Sequence, residues 1–260
     1  MTSTLQIIPT ILLEAYISSF DKFTKALFEA LQDSESSIES FSFYTSVSAV
    51  FSSKTEGEEI ELDSFIKHKR FGVKYQPDFT KKTDDLYNAY MLAQQNRLSE
   101  KNVAKAHALL TKHILQKKQQ GKRRTGNMFV ITKDGRIEYV AAAPDTVKPN
   151  MQQLFQDTKA LLAAELSFEE VFYFASMLHL VFLKIHPFDD GIGRTARLLE
   201  KWFIAENLGV KAWFIQSEKY YYQQHQAYYN NIRSLGLEYE ELDYSKALSF
   251  LQMLPASLNM

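Results

Sequence analysis

The sequence predicts a mainly α-helical bundle carrying one β-hairpin, on three observations. Apolar residues recur at helical spacing along most of the chain. Phe168 to Ile185 is apolar nearly all round, as a helix at the centre of a bundle must be. One stretch breaks the pattern: Met128-Phe129-Val130-Ile131 and Ile137-Glu138-Tyr139-Val140 are rich in β-branched and aromatic residues. Between them lies Lys133-Asp134-Gly135-Arg136, and Asp-Gly there favours a tight turn.

Taken in order, Ile11, Leu12, Ala15, Tyr16, Phe20, Phe23 and Leu27 predict one helix with Thr10 as its cap. Residues 34–42 are serine-rich and predict a loop; Phe43 to Lys54 predicts a helix ending near Gly57. Further helices are expected over 83–95, 99–116, 147–164, 167–185, 194–208, 217–235 and 241–253, with Asp63 and Ser99 as N-caps. Pro144 and Pro149 bracket the exit from the hairpin, Pro187 stops the central helix and Gly209 closes the next. A lone hairpin must lean on the helices, and its free edge offers pairing to an extended segment of another chain. With no internal repeat, low-complexity tract or linker, residues 1–260 are expected to form one domain.

Composition narrows the function classes. A net charge of −1 gives no electrostatic reason to expect nucleic acid. The basic cluster from Lys117-Lys118 to Lys122-Arg123-Arg124 is expected to be a solvated loop. There is no cysteine, which excludes disulfides, thiolate metal sites and thiol nucleophiles. The N-terminus has no basic region, and Pro9 and Glu14 interrupt its apolar run, so no signal peptide is expected. The longest apolar segment, Phe168 to Ile185, is too short and too charged to span a bilayer. A cytoplasmic protein without a membrane partner is the expectation.

Chemistry concentrates in HPFDDGIGRTAR, His186 to Arg197, directly after the central helix. It is a helix–loop–helix with glycines at the start of the second helix, where unpaired backbone N–H groups and the helix dipole favour negative charge. Gly191 and Gly193 let the backbone approach an oxyanion closely. Arg194 and Arg197 are three apart, so both guanidiniums can lie on the first turn. The arrangement suits a polyphosphate. Asp190 supplies a hard oxygen ligand for Mg²⁺, and His186 titrates near neutrality, as a general base should. Base, metal, anion hole and charge clamp together fit nucleotidyl or phosphoryl transfer. Asp189 is expected to be solvated or a helix cap, and His179 a hydrogen-bonded core histidine.

HPFDDGIGRTAR resembles the signature of the Fic (filamentation induced by cAMP) family, H-x-F-x-[D/E]-G-N-G-R-x-x-R, at every specified position but one. The resemblance extends to LHLVFLKIHPF before the motif, to GKRRTGNMFV and IEYVAAAPDTVKPNMQQLF around the hairpin, and to the tyrosine pair Tyr228-Tyr229. It implies a Fic-like bundle with a catalytic core around 83–236 and Mg²⁺-dependent transfer of AMP from ATP to a hydroxyl of an unidentified target protein. His186 would be the base and Asp190 would hold the metal. Gly191 and Gly193 would form the anion hole, and Arg194 and Arg197 would grip the β- and γ-phosphates. A flap of about 137–146, with Ile137, Glu138, Tyr139 and Val140 as its strand, would hold the target by strand pairing, and Tyr228 or Tyr229 would contact adenine. Upstream, Ser52-Ser53-Lys54-Thr55-Glu56-Gly57 matches the family's inhibitory pattern [S/T]-x-x-x-E-[G/N]. The match implies an inhibitory helix around 43–57, in which Glu56 pairs with Arg197 in bidentate fashion. Loss of that pair would lower stability by roughly 3–5 kcal/mol.

The departure is Ile192, where the family has an Asn that hydrogen-bonds the α-phosphate region. Isoleucine has no donor, and its branched Cβ resists a left-handed backbone. By analogy with deleting an oxyanion donor, the change is expected to cost about 2.7–4 kcal/mol, or 10²–10³ in rate. The alternative function is therefore a catalytically weakened nucleotide- or protein-binding module. Removal of AMP and use of another nucleotide stay open, as does the oligomeric state; a homodimer contact through the tyrosine-rich Lys219–Tyr229 is one option.

Overall fold

The computed structural model describes residues 5–38, 41–131 and 135–260. The chain begins with α1 (Leu13–Ser19) and α2 (Thr24–Ala30), continues through α3 (Phe43–Thr55), α4 (Leu62–Phe71), α5 (Lys81–Gln94) and α6 (Glu100–Leu110), and enters the hairpin β1 (Phe129–Ile131) and β2 (Ile137–Val140). Three long helices follow: α7 (Pro144–Leu162), α8 (Phe168–Ile185) and α9 (Ile192–Leu208). Short elements close the chain: α10 (Ser217–Gln223), α11 (His225–Arg233), α12 (Leu248–Leu251) and α13 (Met253–Ala256).

Helix α8 is the axis of the bundle. A capping box starts it, with Ser167 Oγ accepting from Glu170 N–H at 3.2 Å and the Glu170 carboxylate accepting from Ser167 N–H at 2.7 Å. From Val171 to Ile185 every residue but Leu183 is buried. Each fully buried large apolar side chain contributes about 1.5–3 kcal/mol, so the C-terminal end of α8 is a rigid platform. Its main neighbour is α9, which returns alongside it after the 186–191 loop. On the other side of α9, α3 packs among α5 and α10.

Several helices are shorter than periodicity predicts. The helix expected from Ile11 to Leu27 is two, separated at Phe20–Phe23, and Thr10 does not cap it. Phe20 turns out of helical geometry and packs edge-on against Phe168 and Phe172, each 6.0 Å away. Tertiary aromatic packing overrides local helicity here. The segment 217–235 divides at Gln224, and 241–253 resolves into one-turn helices. Ser99 caps α6 as expected, whereas Asp63 lies in the first turn of α4. Pro144 opens α7 and Pro149 lies inside it, so the flap strand ends at Val140 and does not reach 146.

The hairpin is antiparallel, with Val130 opposite Tyr139 and an irregularity between Val130 and Ile131. Lys133 and Asp134 of the expected turn lie outside the described residues; Gly135 adopts φ +84°, the left-handed conformation that favours glycine. Hydrogen bonds from Tyr139 and Val140 help fasten β2 to the bundle. Tyr139 OH donates to the carbonyl of Lys184 at 2.7 Å, and Val140 N–H donates to the carbonyl of Leu237 at 2.8 Å. The outer edge of β2 is thus already paired at its end. No helix among the described residues is long and apolar enough to cross a membrane.

Candidate active site

The site forms where α8 ends. His186 closes the helix in a left-handed conformation, φ 52° and ψ 61°, unfavourable for a residue with a Cβ and held by its surroundings. Arg124 does the holding. Its Nε donates to the His186 carbonyl at 2.6 Å, its Nη1 to Gly126 O at 2.7 Å and its Nη2 to Ala142 O at 2.5 Å. One buried guanidinium therefore ties His186, the 121–126 loop and the foot of the flap together. This corrects the expectation of a solvated cluster: Lys117, Lys118 and Lys122 are exposed, but Arg124 is not. Burial, then the Arg124 charge, lower the His186 pKa to about 4, with Glu56 opposing. This departs from the near-neutral titration expected from sequence, because the ring is buried beside a guanidinium; the imidazole is neutral at physiological pH.

The loop after His186 is buttressed from α6. His107 is fully buried and stacks on Phe188 at 3.8 Å. Its Nδ1 accepts from Gly121 N–H at 2.9 Å, and its Nε2–H donates to the Asp190 carbonyl at 2.9 Å. Gly191 takes φ +77°, and a Cβ there would meet Thr111 Cγ2 at 2.7 Å. The left-handed step of the motif therefore falls on Gly191, and Ile192 is the first residue of α9 with ordinary helical geometry. The expected backbone conflict at Ile192 does not arise. Its side chain is 4 % exposed and joins the main core cluster.

Gly193 provides a close approach: a Cβ at this position would collide with Glu56 Oε1. The carboxylate at the end of α3 thus rests on the first turn of α9, where that helix's N-terminus favours negative charge. Arg197, wholly buried, gives Nη2 to Glu56 Oε1 at 2.6 Å and to Ser52 O at 3.0 Å, and Nε to Ser52 Oγ at 2.9 Å. The Arg197–Glu56 contact is single, not bidentate: Ser52 takes Nε and shares Nη2, and Nη1 faces the Tyr228 hydroxyl. Burial pushes the Glu56 carboxyl up, but Arg197 and Arg194 outweigh it and hold the pKa below the usual range. Arg194 is 5 % exposed in its side chain and pairs with Glu58 at 3.2 Å.

One cavity of about 230 Å³ gathers some of these parts, with Arg194 and Glu58 outside its lining. It is lined by His186, Ile192, Gly193, Arg197, Glu56, Tyr228 and Tyr229, and on the flap side by Glu138, Tyr139 and Lys184. Its volume is below the roughly 300–1,000 Å³ of small-molecule pockets, in keeping with a carboxylate already inside it. A larger cleft of about 380 Å³ lies elsewhere, lined by His68, Asp84, Asp85 and His113, but these groups pair with one another. Tyr228 is buried, its hydroxyl between His179 Nε2 at 2.9 Å and Arg197 Nη1 at 3.4 Å; half-buried Tyr229 offers the more accessible ring. His179 is the core histidine expected, with Nδ1–H donating to Glu200 at 2.7 Å. Asp189 is half-buried and accepts from Gln119 at 3.0 Å. Ile137 is 52 % exposed, and Glu138 pairs with Arg233.

Asp190 is exposed and lies outside the cavity lining; its Oδ1 accepts from Gly191 N–H at 2.5 Å. Among the described residues no three His, Cys, Asp or Glu side chains come together as a metal cage. A single accessible carboxylate does not fit a resident metal centre. It does fit Mg²⁺, which takes one or two carboxylates and completes its shell with substrate phosphates and water. The sequence reading missed Arg124, His107, Lys184 and Glu58. Only His107 left a signal, a polar residue on the apolar face of a predicted helix.

With the fold and site described, relatives can be compared. Solved structures with the same architecture are Fic proteins: a Fic family protein from Desulfovibrio desulfuricans G20 (18% identical, TM-score 0.68, 96% of this chain and 68% of that one). A Fic domain containing signaling protein from Bacteroides thetaiotaomicron VPI-5482 is 16% identical, with TM-score 0.66 over 95% of this chain and 91% of its own. Fic-1 from C. elegans is 15% identical, with TM-score 0.66 over 96% and 73%. At such identities the likeness establishes the fold. No curated protein sequence matches the chain. Residues 97–204, which run from just before α6 through the motif and into α9, match the Fic/DOC family model.

Proposed function

We propose that the protein is a Fic-type adenylyltransferase, moving AMP from ATP to a hydroxyl side chain of a target protein and resting in a self-inhibited state. The observation that carries this reading is one cavity bringing a neutral imidazole, the N-terminus of α9 and a buried arginine together, with the Glu56 carboxylate among them. His186 takes the proton of the target hydroxyl as its oxygen bonds to the α-phosphorus. The bond from the α-phosphorus to the bridging oxygen breaks, and pyrophosphate leaves against Arg194 and Arg197. Ile192 and Gly193 present backbone N–H groups to the phosphate oxygens, while the Gly191 N–H is already taken by the Asp190 carboxylate. Mg²⁺, held by Asp190 and the phosphates, would neutralise phosphate charge. The β2 strand, including Ile137 and Tyr139, lines the approach of the target segment. With Glu56 on Arg197, the γ-phosphate lacks its cation and ATP is held unproductively.

Labelled ATP and Mg²⁺ test this with wild type, Glu56→Gly and Glu56→Gly/His186→Ala. Label transfer to itself or to lysate proteins should rise at least tenfold in Glu56→Gly and vanish in the double variant. A folded Glu56→Gly chain that binds ATP but transfers nothing would overturn the transferase assignment. That outcome would favour the second reading, a weakened binding module, for which the donorless Ile192 side chain in the cavity is the supporting observation. Transfer by the active variant should keep a high rate down to about pH 4, where protonation of His186 removes the base.

A further inference from the structure

The end of α3 carries more than the acidic residue that meets Arg197. Gly57 adopts φ +87°; its N–H donates to Lys54 O at 3.0 Å, and Glu58 N–H donates to Ser53 O at 3.2 Å. This is a Schellman closure, which places Glu56 and Glu58 on either side of a left-handed glycine. Both carboxylates then meet α9. Glu56 takes Arg197 at 2.6 Å, and Glu58 takes Arg194 at 3.2 Å while Lys82 holds the same Glu58 oxygen at 2.7 Å. Acidic groups at the negative end of a helix dipole are locally unfavourable, so helix stability does not explain the pair. The arginines do.

Arg194 also bears the mark of a site filled by a substitute. Its side chain is 5 % exposed, yet Nε is a buried polar atom without a hydrogen-bond partner. A guanidinium presents parallel donors that suit a phosphate's two oxygens, and a single carboxylate oxygen at 3.2 Å uses only part of that fork. Leaving a buried donor unmade is costly, and a better-shaped anion would recover that cost. Arg194 further contributes to the lowered pKa of Glu56, so the two arginines and the two carboxylates form one charge cluster.

We infer that Glu58 is a second inhibitory residue, occupying Arg194 as Glu56 occupies Arg197, so that the resting chain withholds both phosphate-gripping arginines from a nucleoside triphosphate. This rests on the nucleotide-binding reading above and adds a regulatory contact to it. Removal of Glu56 alone would leave the site half blocked. Full release would require the turn at Gly57 to withdraw both carboxylates together.

Calorimetric titration of the full chain with ATP and Mg²⁺, and separately with AMP, tests the inference. The chain would carry His186→Ala throughout to prevent turnover. Glu58→Gln should tighten ATP at least fivefold, in both the Glu56 and the Glu56→Gly backgrounds, and leave AMP affinity unchanged because AMP lacks the β- and γ-phosphates. Glu58→Asp, which keeps the charge but shortens the reach, should give the same gain if the amide variant folds poorly. If Glu56→Gly tightens ATP and neither Glu58 variant does, Glu58 is only a structural partner and the inference fails while the function stands. An equal gain for AMP and ATP would mean general loosening and also overturns it. If no variant binds ATP, the nucleotide reading itself falls.

Discussion

Helix α3 makes two rungs to α9, one turn apart on each helix, and they differ in an instructive way. At Ser48, Lys201 donates to Ser48 Oγ at 2.7 Å, to Ile215 O at 2.7 Å and to Glu218 at 2.6 Å, with both charged side chains at most 1 % exposed. Tyr90 OH donates to the other Glu218 oxygen at 2.6 Å. At Ser52, Arg197 is equally buried, but its carboxylate partner is 26 % exposed and lines a cavity. The first rung is saturated on every side. The second leaves one face of its anion open to replacement. Two ion pairs of similar length thus differ in surroundings: one is enclosed where α3 meets α9, the other borders a cavity, as the proposed exchange of its carboxylate for a ligand requires.

The sharpest way to break the comparison is Lys201→Met. It strands Glu218 in the core, and chemical denaturation should show a loss of about 3–5 kcal/mol with no tightening of ATP. Glu56→Gly should cost less than that sequence-based figure, since Arg197 keeps both Ser52 contacts and water reaches the vacated side. If the two variants lose equal stability, the rungs are not distinct.

The serines sharpen it further. Ser48→Ala and Ser52→Ala each remove a hydrogen bond to a cation, worth about 1.5–3 kcal/mol. Both should lower the denaturation midpoint, but only Ser52→Ala should raise ATP affinity in titration, because only Arg197 then loses a competing partner. The smallest effect concerns acid. The Glu56 carboxyl has a lowered pKa when folded, so it contributes stability above its unfolded pKa and loses it as pH falls through the folded value. Glu56→Gln should therefore flatten part of the acid limb of a stability–pH profile; an unchanged limb would mean the pair contributes nothing.

Much of the site was legible because its signals are local. The motif from His186 to Arg197, the α8 periodicity and Ser52-x-x-x-Glu56 each lie within a few turns of chain. Arg124 was misread because, beyond its neighbour Gly126, its partners are Ala142 and the end of α8, 18 and 62 residues away. A basic cluster looks the same in sequence whether its last residue is solvated or is the strut beneath the loop that follows α8. Glu58 was passed over for a related reason: its partner Arg194 is 136 residues away. The division of the first predicted helix at Phe20 depends likewise on rings from α8.

By itself, the sequence determined a helical bundle with one hairpin, the glycine-rich turn into α9 and the histidine, carboxylates and arginines clustered around it. Helical periodicity, turn chemistry and motif spacing are properties of neighbouring residues, and these read directly. Tertiary structure alone decided that the left-handed step falls on Gly191 and spares Ile192, that Ser52 shares Arg197 with Glu56, and that Arg124 and His107 hold the loop. Each of those outcomes depends on groups far apart in the chain competing for the same donor or the same volume, a contest settled only when the helices pack.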